Sequence, residues 1–256
     1  MNVKPLPIDN FEMKVSIELQ PCLKNKSGIG VYTYELTKRL QNFDDIKVEG
    51  NIFNFINRNF IEKDIEGLNI NKNICSVLPY SKYRKVWNYI PIKYNSLFRS
   101  NSDIYQFFNF VVPPKISGKV ITTIHDLTYI LYPSTMDTSN RKRLEKDMHN
   151  TVERADYIIT ISESSKRDII KYLKVDENKI QVIYPGVDEV YKKILDDDEI
   201  SKVKMKYNID GKYLLYLGTL EPRKNIETII KANKFSWYSS AEKLKDIYYD
   251  LYYDRI

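Results

Sequence analysis

The sequence predicts an α/β fold in which parallel strands alternate with helices. Short apolar runs of strand length recur along the chain, and most lead into segments whose apolar residues have helical spacing. One run, Tyr213–Leu217, is apolar throughout, which is typical of a strand buried on both faces of a parallel sheet. The segments that contain predicted strands are Met13–Leu19, Ile52–Ile56, Asp103–Phe107, Val120–Ile124, Ala155–Ser162, Lys179–Asp188 and Tyr213–Leu217.

Several segments between these strands are predicted to be helices. The first would present one apolar face, made of Tyr32, Leu36, Leu40 and Phe43. Arg141–Ala155 is a charged helical stretch, and the serines from Ser162 to Ser165 are typical caps for the helix that follows.

The composition bounds the class of protein. With 256 residues, of which 43% are hydrophobic and 29% charged, the chain has material for a sizeable core. Its net charge of +6 suits an anionic ligand or an anionic membrane surface. Cys22 and Cys75 are too few for a disulfide scaffold or a zinc site, which favours a reducing compartment. Since no signal peptide or membrane-length apolar run is evident, we expect a cytoplasmic protein.

A basic turn follows the run Tyr213–Leu217. Asn225 is a good N-cap for a helix that begins at Ile226, so Arg223 and Lys224 lie beside the positive end of that helix. A guanidinium fork, an ammonium group and free backbone amides suit a diphosphate. A solvated basic turn is the other interpretation of the same residues.

A glycine loop lies between the first strand and the first helix. Gly28 and Gly30 form a Gly-x-Gly pattern, which lets a phosphate approach the backbone closely at a helix start. The third glycine of a dinucleotide fingerprint is missing, and a plain tight turn would need the same glycines.

A histidine stands at the end of the strand Val120–Ile124. His125 and Asp126 are therefore at the edge where an open α/β sheet places its ligand contacts. A lone histidine is often structural, so both a catalytic and a structural role remain open. Asp126 either orients the imidazole or caps the following turn, and we favour the cap.

The stretch from Pro79 to Pro91 is basic and aromatic. It suits an anionic or lipid-linked acceptor at a membrane face. We favour the simpler interpretation, an amphipathic helix that covers its own domain with snorkelling lysines. Stacked nucleic-acid bases would also fit, but no other stretch supports a nucleic-acid partner.

Four short motifs resemble those of family-4 glycosyltransferases, which are retaining enzymes of the GT-B fold. These enzymes have two Rossmann-like domains with the donor sugar nucleotide between them. The motifs are Gly-Thr-Leu-Glu-Pro-Arg-Lys-Asn at 218–225, Ser-Gly-Ile-Gly-Val-Tyr-Thr at 27–33, Thr-Ile-His-Asp-Leu at 123–127 and Pro-Gly-Val-Asp at 185–188.

The resemblance implies roles for individual residues. Arg223 and Lys224 would contact the donor diphosphate, Gly28 and Gly30 would admit the phosphates, and His125 would lie at the reacting sugar. The supporting residues would be Asp126, Gly218 and Glu221. We expect no cofactor and no metal, because no Asp-x-Asp triplet stands where a metal-dependent transferase would need it. The nucleotide-diphosphate sugar is the co-substrate.

The resemblance also divides the chain. Residues 1–12 are predicted to be a tail, 13–188 a Rossmann-like acceptor-side domain, and 189–234 a linker with the first strand–helix unit of a donor-binding domain. Residues 235–256 would form a C-terminal helix that packs back on the first domain. The family's later strand–helix units, with two glutamates seven residues apart, have no match here, so we expect a truncated second domain.

The expected function is transfer of a hexose from a nucleotide-diphosphate sugar to a glycan or lipid-linked acceptor with retention. The Glu-Pro-Arg-Lys-Asn form of the motif favours mannose weakly. The alternative is a catalytically inactive remnant or binding module of the same family. Peripheral contact with the inner membrane face through residues 80–91 is a further expectation.

Overall fold

The computed structural model describes residues 12–24, 26–55, 63–187, 196–211, 213–218, 220 and 224–232. The chain divides into two compact units. The first comprises residues 1–131 and 136–186, and the second comprises residues 132–135 and 187–256. The predicted boundaries of the domains stay a prediction.

The first unit is built on a seven-stranded sheet in the order β3-β2-β1-β4-β5-β6-β7. All six pairings are parallel, which confirms the predicted α/β class. The strands are β1 (Met13–Glu18), β2 (Ile46–Phe53), β3 (Asn71–Cys75), β4 (Ile104–Phe107), β5 (Lys119–Thr123), β6 (Tyr157–Thr160) and β7 (Ile180–Val182).

Two strands differ from the prediction. β2 begins at Ile46, six residues before the predicted start, because its first half alternates apolar and polar residues instead of forming an apolar run. β3 was not predicted at all. It lies at the edge of the sheet, where of its five residues only Cys75 is buried, so its sequence carries almost no apolar signal.

The described α-helices lie between the strands or follow β7 along the chain. They are α1 (Gly28–Leu40), α2 (Tyr80–Val86), α3 (Tyr94–Phe98), α4 (Thr128–Leu131), α5 (Thr138–Arg154), α6 (Glu163–Leu173), α7 (Asp197–Lys206) and α8 (Ile226–Ala232). The Ser162 side chain caps α6 by accepting a bond from the Ser165 amide, as predicted. Phe43 was wrongly placed on the core face of α1, because α1 ends at Leu40 and Phe43 is 56% exposed in the turn beyond it.

The core of the first unit consists of two apolar clusters. Ile17, Leu19 and Ile52 belong to one, whereas Tyr105 and Ile158 belong to the other. Successive side chains of a strand point to opposite faces of the sheet. Glu18, which follows Ile17, therefore faces away from the cluster that Ile17 joins, and it is itself buried.

The prediction of a strand at Tyr213–Leu217, in the second unit, is wrong. Residues 213–217 have no strand conformation, and the side chains of Leu215 and Leu217 are 76% and 93% exposed. A strand needs a neighbour to take its backbone hydrogen bonds, and none of the strands that the structure describes pairs with this segment. The helix that follows begins at Ile226, as predicted.

Candidate active site at the carboxyl edge of the sheet

The carboxyl ends of the parallel strands meet at one edge of the sheet. β1 ends at Glu18 and leads towards α1, while β5 ends at Thr123 and leads to His125. In open α/β sheets this edge is where ligands bind. The glycine loop and the histidine that the sequence singled out therefore belong to the same edge.

His125 is buried, with 6% of its surface exposed. Its Nε2 lies 2.7 Å from the carbonyl oxygen of Phe108. A carbonyl oxygen can only accept, so Nε2 carries a hydrogen and donates it. In the neutral ring Nδ1 is then the nitrogen with the free lone pair, and no hydrogen bond to Nδ1 is present among the residues described.

The surroundings of His125 keep the imidazole neutral. The ring of Tyr32 meets it edge-on at 5.5 Å, and the ring of Phe110 lies at 5.4 Å. Burial lowers the pKa of His125 below 6.5, although the bond to Phe108 and the charge of Asp126 oppose this shift. At neutral pH the side chain is therefore an uncharged hydrogen-bond acceptor at Nδ1.

Two polar contacts fix the backbone around His125. Asp126 Oδ1 accepts a hydrogen bond from the Thr128 amide at 2.9 Å, so Asp126 caps the turn before α4, as predicted. Ser165 Oγ donates to the His125 carbonyl oxygen at 2.9 Å. The sequence identified Ser165 only as part of a helix cap, since its contact partner lies 40 residues away.

The two glycines of the first loop have different surroundings. A Cβ on Gly30 would lie 2.4 Å from the carbonyl oxygen of Pro21, so Gly30 is required by the packing of the backbone. A Cβ on Gly28 would meet nothing within 4 Å. Gly28 opens α1, and the side chain of the N-cap residue Ser27 accepts no bond from the amides of the first turn. Those amides are therefore not satisfied by the N-cap side chain.

Tyr32 connects this loop to the histidine. It lies one turn into α1, its ring packs against His125, and its hydroxyl donates to the carbonyl oxygen of Ile183 at 3.0 Å. The structure thus brings together the start of α1 and His125 within the first unit.

The remaining predicted site residues belong to the second unit. Arg223 and Glu221 lie outside the described residues. Lys224 and Gly218 are described, and both are exposed. A Cβ on Gly218 would approach only the hydroxyl end of the Tyr216 side chain, at 2.9 Å, so the fold does not strictly require this glycine.

A partly buried polar cluster, which the sequence reasoning missed, lies at the same edge of the sheet. We define it as Glu18, Tyr80, Arg84, Arg143 and Asp147, and call it the arginine cluster. Arg84 Nη2 lies 3.5 Å from Asp147 Oδ2, and the guanidinium packs against the rings of Tyr80 at 5.7 Å and Trp87 at 5.5 Å.

Glu18 is the unusual carboxyl group of this cluster. Burial raises its pKa to about 7, although the charge of Arg84 and a backbone bond at Gln20 oppose the shift. Its Oε1 has no hydrogen-bond partner among the described residues. An acidic residue at the end of an apolar strand was the only signal in the sequence that could have identified it.

The basic, aromatic stretch is mostly structural. Tyr83 and Trp87 are buried in the core, while Lys82 and Lys85 are exposed. This is the predicted arrangement of an amphipathic helix that covers its own domain. No helix in the described part of the chain is long and apolar enough to cross a membrane. Within the same residues, no group of three or more His, Cys, Asp or Glu side chains could hold a metal ion.

Comparison with known proteins gives several similar chains. The O-antigen chain mannosyltransferase B of Escherichia coli is 27% identical over 237 residues, which cover 86% of this chain and 59% of that protein. The O-antigen chain mannosyltransferase RfbU of Salmonella typhimurium strain LT2 is 35% identical over 127 residues, which cover 50% of this chain and 31% of that protein. The chain thus spans about three fifths of the first relative's length.

Among solved structures, a glycosyltransferase from Rickettsia africae ESF-5 aligns with a TM-score of 0.44 and 18% identity, covering 78% of this chain and 50% of that one. The family model for Glycosyltransferase Family 4 matches residues 26–190, well over half of the chain. The match contains the glycine loop, His125 and the arginines of the arginine cluster. The chain therefore belongs to Glycosyltransferase Family 4.

Proposed function

We propose that the protein is a retaining hexosyltransferase that moves mannose from a nucleotide-diphosphate sugar to a glycan or lipid-linked acceptor in polysaccharide biosynthesis. The observation that carries the proposal is the neutral His125 beside the open start of α1, both within the family match. The Escherichia coli and Salmonella relatives named above are mannosyltransferases, which supports mannose as the sugar.

In this proposal α1 binds a phosphate of the donor and His125 binds its sugar. The first-turn amides of α1, at the positive end of a 13-residue helix, donate hydrogen bonds to a phosphate of the donor. His125 Nδ1 accepts a hydrogen bond from a hydroxyl of the sugar. Because the ring is neutral and Nε2 is held by Phe108, His125 orients the sugar and does not transfer a proton.

The proposal also needs positive charge at the leaving diphosphate. Arg223 and Lys224 offset the charge that develops on the leaving diphosphate, a role that a divalent cation has in other transferases. Glu221 and Gly218 have supporting roles beside this basic pair, and Asp126 supports His125 through its cap. No cofactor and no metal takes part in this proposal.

A binding module without turnover is the second candidate. The exposure of Leu215 and Leu217 favours it, because a donor-binding domain would bury such a strand on both faces. Donor binding without sugar transfer is the result that this candidate predicts.

The test is a thermal-shift measurement of the purified chain with UDP, GDP and their sugars. A ligand at about 100 times its Kd adds roughly 2.7 kcal/mol of stability to the folded state. We expect a shift with one nucleotide, lost in Arg223→Ala and kept in Lys204→Ala, a control that removes an exposed charge from α7. A chain that melts cooperatively but shifts with no nucleotide would rule out donor binding.

We also propose a cytoplasmic protein that touches the inner membrane face through residues 80–91. Lys82, Lys85 and Tyr89 carry this proposal, since they are exposed basic and aromatic members of the stretch, and Tyr89 is 79% exposed. Cosedimentation with vesicles of anionic lipid, lost in Lys82→Gln/Lys85→Gln, is the expected result. Equal binding of the double variant would contradict it.

A further inference from the structure

Tyr32 contacts three residues at the carboxyl edge of the sheet. It is 7% exposed, and its ring packs edge-on against Phe108 at 5.8 Å and against His125 at 5.5 Å. Its hydroxyl donates a hydrogen bond to the carbonyl oxygen of Ile183 at 3.0 Å. These three residues follow β4, β5 and β7, so one side chain of α1 touches the segments after three strands.

The hydroxyl of Tyr32 has a rigid anchor. The Ile183 amide donates to the carbonyl oxygen of Thr160, the last residue of β6, at 2.8 Å, so the backbone of Ile183 is itself bonded to the sheet. Burial raises the pKa of Tyr32 to about 12, so the hydroxyl keeps its proton and remains a donor at neutral pH. The far end of the Tyr32 side chain is therefore fixed relative to the sheet.

The ring of Tyr32 covers both partners of the hydrogen bond that sets the tautomer of His125. His125 Nε2 lies 2.7 Å from the Phe108 carbonyl oxygen, and Tyr32 packs against the rings of both residues. The ring of Phe110 also lies against the imidazole, at 5.4 Å. An imidazole in such a packed site cannot turn without displacing a neighbouring ring. Tyr32 therefore helps to hold the orientation in which Nε2 donates and Nδ1 accepts.

The same side chain fixes the start of α1. Gly30, two residues before Tyr32, lies so close to the Pro21 carbonyl oxygen that a Cβ there would be 2.4 Å from it. Gly30 and Tyr32 therefore hold the first turns of α1 at two places, the loop after β1 and the strand ends near His125. A donor that contacts both the first-turn amides and His125 needs a fixed distance between them, because a misplacement of about 1 Å can cost about 100-fold in rate.

We propose that Tyr32 is a positioning residue of the sugar-transfer reaction, which holds the His125 imidazole in one orientation and one tautomer beside the start of α1. The inference rests on the proposed function, since it concerns the site where the donor sugar binds. Tyr32 acts through His125 and does not itself bond to the donor. Its two parts have separate roles: the ring packs against the imidazole, and the hydroxyl, bonded to Ile183, keeps the ring in place.

The first test observes His125 in the full chain without any donor. Nitrogen-15 NMR of the ring nitrogens distinguishes the two neutral tautomers of a histidine. The chain has two histidines, so His149→Gln is enough to assign the signals. At a pH where His125 is neutral, the unchanged chain should show the hydrogen on Nε2 alone. Tyr32→Leu, which removes the ring and the hydroxyl, should show both tautomers. Tyr32→Phe, which removes only the anchor, should show a smaller fraction of the second tautomer.

Tyr34 provides the matched control on the same helix. Its hydroxyl also donates to a backbone carbonyl oxygen, that of Glu66, but its ring lies against the ammonium groups of Lys26 and Lys38. Tyr34→Leu and Tyr34→Phe should therefore leave the His125 signals unchanged. A single Nε2 tautomer in Tyr32→Leu, or the same change in Tyr34→Leu, would overturn the proposal. Unchanged signals in Tyr32→Phe, which keeps the packed ring, would overturn the role of the hydroxyl.

The second test measures whether Tyr32 acts through His125 during turnover. Nucleotide release from a nucleotide-diphosphate mannose is compared for Tyr32→Leu, His125→Ala and the double variant. Tyr32→Leu should lower turnover about tenfold in the unchanged chain. In the His125→Ala background it should lower turnover by less than about twofold, because residues that act together are not additive.

Equal losses in both backgrounds would show that Tyr32 supports the fold independently of His125 and would overturn the proposal. A chain that turns over no donor fails the proposed function instead. The NMR comparison uses no donor, so it still decides whether Tyr32 sets the state of His125.

Discussion

β5 and residues 213–217 are both short apolar segments followed by a turn and a helix, but their surroundings differ. β5 lies between β4 and β6, and Ile124, which follows it, is fully buried with its amide bonded to the Ile159 carbonyl oxygen at 2.9 Å. Residues 213–217 have no paired strand among those described, and their side chains are largely exposed.

This difference shows that an apolar segment positions a functional side chain only where neighbouring strands hold it in place. β5 positions His125 because neighbours on both sides fix the strand end, and Phe108, Tyr32 and Ser165 then fix the ring and its backbone. The segment before Lys224 has the same kind of sequence but lacks those neighbours in the described structure. A functional side chain needs a rigid support as well as the right chemistry.

The most direct test of the contrast between β5 and residues 213–217 is to shorten one side chain in or beside each segment. Ile124→Ala should cost about 2–5 kcal/mol of unfolding free energy, because it leaves a cavity in the core. Leu215→Ala should change it by less than about 0.5 kcal/mol, since the side chain is exposed. Chemical denaturation measures both. Equal losses would show that residues 213–217 are buried in solution, which contradicts the contrast.

A second experiment examines the sheet edge through pH. In the unfolded chain Glu18 ionises near 4.5, but in the folded chain it keeps its proton until about pH 7. The stability that this group contributes is complete below pH 4.5 and is lost as pH rises to 7, by roughly 3 kcal/mol.

Glu18→Gln removes that dependence, so the variant should gain stability relative to the unchanged chain between pH 4 and pH 8. Glu66→Gln, at an exposed position, is the matched control and should follow the unchanged chain. Urea unfolding across this pH range gives the difference. Parallel curves for Glu18→Gln and the unchanged chain would mean that Glu18 ionises normally.

The two glycines of the first loop allow the same contrast between packed and open surroundings to be tested within one segment. Gly30→Ala should cost about 1–3 kcal/mol, because its Cβ would collide with the Pro21 carbonyl oxygen. Gly28→Ala should be neutral or stabilising by up to about 1 kcal/mol, since its Cβ meets open space and alanine favours helix. Thermal unfolding of the pair measures this. The reverse order of stability would contradict the described start of α1.

The parallel α/β architecture could be predicted because most of the strands are apolar runs that need no further context. β3 could not, since an edge strand such as Asn71–Cys75 buries only one residue. The prediction of a strand at Tyr213–Leu217 was wrong, because a sequence pattern shows that a segment prefers burial. It does not show whether neighbouring strands are present to bury it.

In the candidate site, too, local features could be predicted from the sequence and long-range contacts could not. The place of His125 at a strand end and the cap by Asp126 are local and were predicted. The protonated nitrogen of His125 depends on a carbonyl 17 residues away, at Phe108. The arginine cluster joins β1, α2 and α5, and only the folded sheet reveals that their polar residues meet.

The central claim is that His125 orients the donor sugar, and nucleotide release from a nucleotide-diphosphate mannose tests it most directly. His149 is the matched control, because it is the other histidine and is exposed on α5, with its Nε2 3.2 Å from Glu153 Oε1. We predict that His125→Ala, shown to be folded by its melting curve, loses about 100-fold in turnover, while His149→Ala keeps full activity. Equal turnover by His125→Ala and the unchanged chain would contradict the account.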